Sequence, residues 1–303
     1  MITDFLNGEY VHEVQILIFS LTLGGVYALM ASGLTLVFGV MRIVNLAHPA
    51  FIFIAAYLSY YAFTKLNVDP MESILINVPV MFIFGVIIYR VFLASGADQP
   101  RYTEKTVLLT FALALMIEGV LGYLFTGANR STTPTYTTEV YFTGEAQYLV
   151  PKAQLYALLM SLVLIIFTWS FLQFTRMGYA IRATMQNRAA AQTVGVNVKW
   201  VSTFTFGMGT ALAGAAGALM SFLFSFFPNT HWEWVALLLS LIVLGGMGSL
   251  VGAVVGAFLL AGTAGLVSDA YGPSWSPLTF YAALFLILLI RPQGLFGRKL
   301  EMT

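Results

Sequence analysis

Arg176 to Lys199, RMGYAIRATMQNRAAAQTVGVNVK, is the stretch from which the rest of the chain is read. It is a polar island carrying Arg176, Arg182, Arg188 and Lys199 and no acid; no Asp or Glu occurs between Glu145 and Glu233. Long apolar runs flank it, about 152–175 before it and 200–226 after it. A basic loop between two membrane spans belongs on the cytoplasmic side. Its middle, Ala180 to Val194, is rich in alanine, arginine and glutamine, which form helix well. Gly195 stands where a helix C-terminal glycine belongs. The pattern predicts one short helix under the membrane, with Ala183, Ala189, Ala190 and Ala191 letting a partner approach closely. The plainer alternative is a solvated connector.

Composition agrees with a membrane setting. Of 303 residues, 59% are hydrophobic and only 9% are charged, with a mean hydropathy of +0.86. Soluble domains carry roughly 25% charged residues, so this chain cannot cover a water-facing surface. A net charge of +1 offers no electrostatic footprint for nucleic acid. Cysteine is absent, which excludes disulfides and thiolate ligands. The start holds Asp4, Glu9 and Glu13 without Lys or Arg, unlike a cleavable signal peptide, and is expected outside the cytoplasm.

A membrane helix needs about 20 apolar residues. Expected spans are 15–40, 50–66, 72–93, 106–126, 152–175, 200–226 and 277–291. The stretch 234–267 is too long for one crossing and is interrupted at Gly245-Gly246-Met247-Gly248-Ser249. It reads as two segments, 234–246 and 250–267, the first short enough to be re-entrant or strongly tilted. The expectation is an all-α polytopic membrane protein of about eight to nine segments, one permease domain over residues 1–303. Arg90, Arg101, Lys105, Arg176, Arg182, Arg188, Lys199, Arg291, Arg298 and Lys299 fall on one side of this arrangement, and Lys65, Arg130 and Lys152 on the other. The first side is then cytoplasmic, the N-terminus outside and the C-terminus inside. Phe226, Phe227, Trp232, Trp234, Tyr271 and Trp275 are expected at the outer interface. The external loop 127–151, threonine-rich with Tyr136, Tyr141 and Phe142, is a place for a receptor to dock or a plain surface loop.

Three features stand out inside the spans. Small residues recur every four positions at Gly248, Gly252 and Gly256, at Gly209, Ala213 and Gly217, and at Gly24, Ala28 and Ser32. This spacing lets helices pack closely in lipid. The stretch MRIVNLAHP, Met41 to Pro49, breaks the helical pattern and clusters Arg42, Asn45 and His48. Pro49 disfavours helix at His48 and suits a helix start. Such a break either binds an anionic group or anchors two helices as a turn. Glu118 lies within a span, where an acid is costly unless paired or facing a cavity. Thr35, Asn45, His48, Thr110 and Glu118 are therefore pathway candidates. No metal or catalytic constellation is expected: Walker A, H-E-x-x-H and nucleophile-elbow motifs are missing. A serine protease built on Ser249 with His48 or His231 is poorly supported, since the glycine turn already accounts for Ser249.

Several strings resemble LivH-type permeases of branched-chain amino acid ABC importers. They are RMGYAIRA with NRAAAQTVGVNV in the basic island, LGGMGSLVGA at Leu244 to Ala253, RPQGLFG at Arg291 to Gly297, and GLTLVFG with NLAH at Gly33–Gly39 and Asn45–His48. The likeness covers nearly the whole chain. It implies that residues 176–199 dock on an ATPase through Arg182, Gln186, Arg188, Ala189, Ala190 and Gly195, and that Gly245, Gly246, Gly248, Ser249 and Gly252 form a structural turn. Three departures stand out: Arg188 where importer loops often carry an acid, Pro49-Ala50 in place of a small-then-acidic pair, and Glu118 where relatives often carry an amide. The resemblance implies a second related permease, two ABC ATPases binding ATP-Mg, an extracytoplasmic solute-binding protein, and a plasma (inner) membrane location. No cofactor is expected on this chain itself. The expected cargo is a branched-chain or related amino acid; urea, nucleoside or aromatic-acid cargo, or a stand-alone secondary transporter or channel, are the alternatives.

Overall fold

The structure, a computed structural model, describes residues 11–94, 101–143 and 148–297. Asp4, Glu9, Arg298 and Lys299, used above for sidedness, lie outside the described residues. Eleven α-helices follow in order: α1 (Val11–Met41), α2 (His48–Leu66), α3 (Pro70–Ile88), α4 (Tyr102–Phe125), α5 (Lys152–Phe174), α6 (Arg176–Gln186), α7 (Arg188–Thr193), α8 (Val198–Leu223), α9 (His231–Gly245), α10 (Leu250–Tyr271) and α11 (Ser276–Ile290). A π-turn, Tyr89–Leu93, prolongs α3. Seven of the described helical stretches are long and apolar enough to cross a membrane. The fold is an all-α polytopic membrane bundle, with one small exception: the outer loop forms a hairpin pairing Val140–Thr143 antiparallel with Tyr148–Pro151.

The centre is α8. Of its apolar window 89% is buried, against 6% for the window containing α11, so α8 is the axis and α11 the periphery. Sequence explains this position, because lipid gives helices no hydrophobic reason to associate and close backbone approach has to hold them. Gly209 meets Val37 and the Gly33 carbonyl of α1, and Gly217 lies against Ile52 and Ala55 of α2. Thr210 occupies the space a side chain at Gly85 of α3 would need. The 209/213/217 pattern is thus a packing face, and so is that of Gly24, which meets Phe258 and Ala261 of α10. The 248/252/256 pattern is not one helix face: Gly248 lies in the turn before α10 with φ +87°, while Gly252 and Gly256 of α10 pack on Gly245 and Leu241 of α9. Polar glue adds to this. Asn77 of α3 donates to Ser59 Oγ at 2.8 Å and to the Ala55 carbonyl at 3.1 Å, and Ser59 and Ser73 hydroxyls pair at 2.6 Å.

Two helices start inside the bundle. His48, the first residue of α2, sits against Gly33 and Met30 of α1. Those residues lie about two to three turns before the end of α1, some 12 to 16 Å up its axis. Residues 42–47 therefore climb back into the bundle instead of turning at its surface. Phe53 of α2 in turn packs on Phe226 and His231 at ring-centroid distances of 6.2 and 6.0 Å. So α9 also begins at depth and runs its 15 residues, about 22 Å, to the glycine turn. The segment expected as 234–246 starts three residues earlier, at His231, and ends at Gly245. The aromatic belt is corrected with it: Phe226 is fully buried and Trp234 is 9% exposed, whereas Tyr271 and Trp275 are open.

Candidate functional site

At one end of the bundle lies the basic segment. Thr175 caps α6 by accepting from the Gly178 amide at 3.0 Å. Gly178 is forced: an added Cβ would stand 2.4 Å from the Leu172 carbonyl. The single helix expected over 180–194 is instead two helices, because Asn187 leaves the helix (φ −151°, ψ 109°) and its Oδ1 accepts from the Ala190 amide at 3.0 Å. Asparagine competes with the helix backbone in this way and favours a cap over a helix interior. After α7, Val196 and Gly195 amides donate to the Ala191 and Gln192 carbonyls, each at 3.0 Å, with Gly195 at φ +89°. This is the glycine-closed helix end expected there. Gln186, Ala189, Ala190 and Gly195 are exposed, while Ala183 is half-buried and Ala191 is turned into its own subunit. The small-residue surface is therefore narrower than expected. Arg182 is tied back, donating to the Gln173 side chain and lying 4.7 Å over the Tyr179 ring. Arg188 is half-buried and acts electrostatically on the Tyr102 hydroxyl.

Behind this surface four pieces of sequence meet. The Met185 methyl of α6 lies in a notch between Gly39 of α1 and Gly248 of the glycine turn. Gly248 itself sits 3.2 Å, measured from an added Cβ, from the Gly39 Cα. The carbonyls left open at the end of α9 are filled by the C-terminal motif: Leu295 donates to Leu244 O at 2.8 Å and Phe296 to Gly245 O at 3.1 Å. Gly246 (φ +99°) leaves room for Gly297. Ser249 caps α10, accepting from the Gly252 amide at 3.0 Å. Thus LGGMGS, RPQGLFG, the end of α1 and the basic segment form one joint.

Four of the five pathway candidates are occluded. Thr35 and Asn45 are 1% exposed, His48 and Thr110 are fully buried. Asn45 caps the start of α2 through Ala47 N at 3.1 Å, and Thr110 accepts from Leu46 N at 3.3 Å, joining α4 to the break. His48 Nε2 lies 3.3 Å from Met30 O. None of these four residues lines the recess beside Glu118 or the one formed by Met71, Tyr156, Leu159, Met160 and Val163. Glu118 is apart from them, half-buried on α4, and its Oε2 accepts from Trp232 Nε1 at 2.8 Å. It borders a recess of about 520 Å³ with Leu115, Gly119, Gly122, Gly127, Phe227, Pro228 and Asn229. This recess lies toward the other end of the bundle, where Arg130 pairs with Phe226 and Tyr136 donates to Asp69 at 2.9 Å. Burial and the Asp69 carboxylate both push the Tyr136 phenol well above its ordinary value.

A family model described as "Branched-chain amino acid transport system / permease component" matches residues 16–290. The chain belongs to this permease family. It is similar to the high-affinity branched-chain amino acid transport system permease proteins BraD of Pseudomonas aeruginosa and LivH of Salmonella typhimurium. BraD is 26% identical over 96% of this chain and 97% of its own length, and LivH is 27% identical over 97% and 98%. The permease protein LivM of Escherichia coli matches over a shorter range, 29% identical over 45% of this chain and 32% of its own.

The permease is a multi-pass membrane protein, and the strings it shares with the family, apart from Asn45–His48, meet at one joint. Met185, Gly39 and Trp232 escaped the sequence reading of the site. Only their apolar or small character was visible there, and a notch between three helices leaves no periodic signal. The Asn187 break was visible in principle, since an asparagine two residues before paired alanines is an N-cap pattern.

Proposed function

We propose that this permease forms half of the membrane path of an ABC importer and pairs with a second, related permease. Two ATPases dock on Arg176–Lys199, and an extracytoplasmic binding protein delivers a branched-chain or related small amino acid. The observation that carries this reading is the joint: the exposed alanine pair is linked through Met185 to the ends of α1 and α9. A push on the segment therefore reaches the two helix systems that border the half-inserted α2 and α9. This chain performs no catalysis itself; ATP-Mg binds in the partner subunits. The end that carries the acid-free segment Arg176–Lys199 faces the cytoplasm and the hairpin end faces outside.

The test is Ala190→Trp in the assembled complex. Indole bulk on an exposed docking face touches nothing within the subunit, so the permease inserts and folds as before. Uptake into proteoliposomes and stimulated ATP hydrolysis are both expected to be lost. Survival of both would show that nothing docks there, and a stand-alone transporter would then account for the chain better.

A further inference from the structure

We infer that the recess beside Glu118 recognises a zwitterionic α-amino acid, with the Glu118 carboxylate accepting the α-ammonium group. The inference rests on the transport reading above and adds the chemistry of one point on the path. A carboxylate at membrane depth is costly unless something pairs with it. The Trp232 indole satisfies one oxygen at 2.8 Å. The other, Oε1, accepts no hydrogen bond from the described residues, and the remaining charged or titratable neighbour of Glu118 among them is His231, which it influences electrostatically. The indole is itself fixed, with its ring 5.3 Å from Phe111 and 4.5 Å from His231, so Glu118 is a positioned acceptor and not a free-swinging one.

The rest of the lining suits the rest of such a ligand. Leu115 is 47% exposed, and an added Cβ at Gly119 or Gly122 would meet no heavy atom within 4 Å. Together they leave a low apolar wall for an aliphatic side chain. Asn229, exposed and part of the same lining, offers an amide to the carboxylate. Among the described residues no Lys or Arg lines the recess. A volume of about 520 Å³ is within the range of small-molecule sites. A single carboxylate with one indole donor is no metal site; an ammonium group, with three donors, matches the open oxygen.

Trp232 is a built-in reporter. The permease complex in nanodiscs, without binding protein, is titrated with leucine and with 4-methylpentanoate, which keeps the chain and carboxylate but lacks the ammonium group. Leucine is expected to shift tryptophan emission saturably in the millimolar range, and 4-methylpentanoate to leave it unchanged. Glu118→Gln is expected to weaken the leucine response about tenfold or more, as loss of a charge-assisted hydrogen bond does, and Glu118→Asp to restore part of it. Trp232→Phe removes the signal and shows its origin. Equal responses to both ligands, no response to leucine, or identical curves for wild type and Glu118→Gln would each overturn the inference. So would a Glu118→Gln permease that loses its second permease subunit while binding leucine normally, since the carboxylate would then serve assembly. ATP-driven leucine uptake with the binding protein present is measured separately: its success alongside a flat titration removes this site and leaves the proposed function standing.

Discussion

Single residues at the glycine turn are dictated by backbone, not by side-chain chemistry. Gly246 adopts φ +99°, and an added Cβ would stand 2.3 Å from the Gly297 amide nitrogen. An L-residue there suffers both an unfavourable dihedral, about 1–3 kcal/mol, and a collision with backbone that cannot move aside. Gly246→Ala is expected to lower the apparent melting temperature of the solubilised permease by several degrees and to raise proteolytic access to the 291–297 segment. An unchanged melting curve would mean that the C-terminal motif does not seat on the turn. Thr35, Asn45 and His48 teach the complementary lesson. Thr35 lies in an expected span and Asn45 and His48 in the break after it; the sequence flags all three as functional, yet each is buried within the subunit. Asn45 serves as a local cap. The sequence shows that a polar group is there; which way it faces is set by neighbours far along the chain.

At the scale of elements, the basic segment is two short helices hinged at Asn187, resting on α1 and α8. The unit is held to the bundle by the face of Gly178, Ile181 and Thr184 and by Met185 in its notch. Met185→Ala empties that notch. Because the side chain is half-buried, truncation costs about 1–2 kcal/mol, less than for a fully enclosed methionine. The permease is expected to remain folded and to keep its ATPases, while uptake per ATP hydrolysed falls severalfold. Paired measurement of hydrolysis and uptake in proteoliposomes checks this; an unchanged ratio would mean that motion passes through α5 or α8 alone. The helix spans were legible because membrane thickness imposes a length on them. The half-inserted starts of α2 and α9 were not, since Pro49 and a short apolar run mark a break without saying how deep it lies.

Over the whole molecule, the basic residues of the described chain fall into two groups. Arg42, Arg176, Arg182, Arg188 and Arg291 sit at the end of the joint, and Lys65, Arg130 and Lys152 at the end of the hairpin. The outer end has its own ties: the Lys152–Glu139 ion pair at 2.5 Å and the Tyr136–Asp69 hydrogen bond. Sidedness is tested by single cysteines, for which this chain offers a clean background because it has none of its own. Gln186 and Thr135 are both exposed and lie at opposite ends. Gln186→Cys is expected to label from the cytoplasmic side and Thr135→Cys from outside. Labelling from the same side would refute the arrangement, and exchanged sides would invert it.

The sequence by itself determined the all-α membrane class, the acid-free basic segment, and the strings that carry the family likeness. Each of these is a one-dimensional property: apolar run length set by the bilayer, charge set by the membrane potential and insertion, glycine placed where the backbone turns. Tertiary structure alone decided that two of those strings, LGGMGS and RPQGLFG, bond to each other and that Met185 joins them to α1. It also decided that four pathway candidates are enclosed while Glu118, held by an indole more than a hundred positions away in the chain, opens onto a recess. The physical reason is that burial and pairing depend on which helices neighbour one another. In lipid that choice is made by close fit between small residues on separate helices, a match that no single stretch of sequence contains.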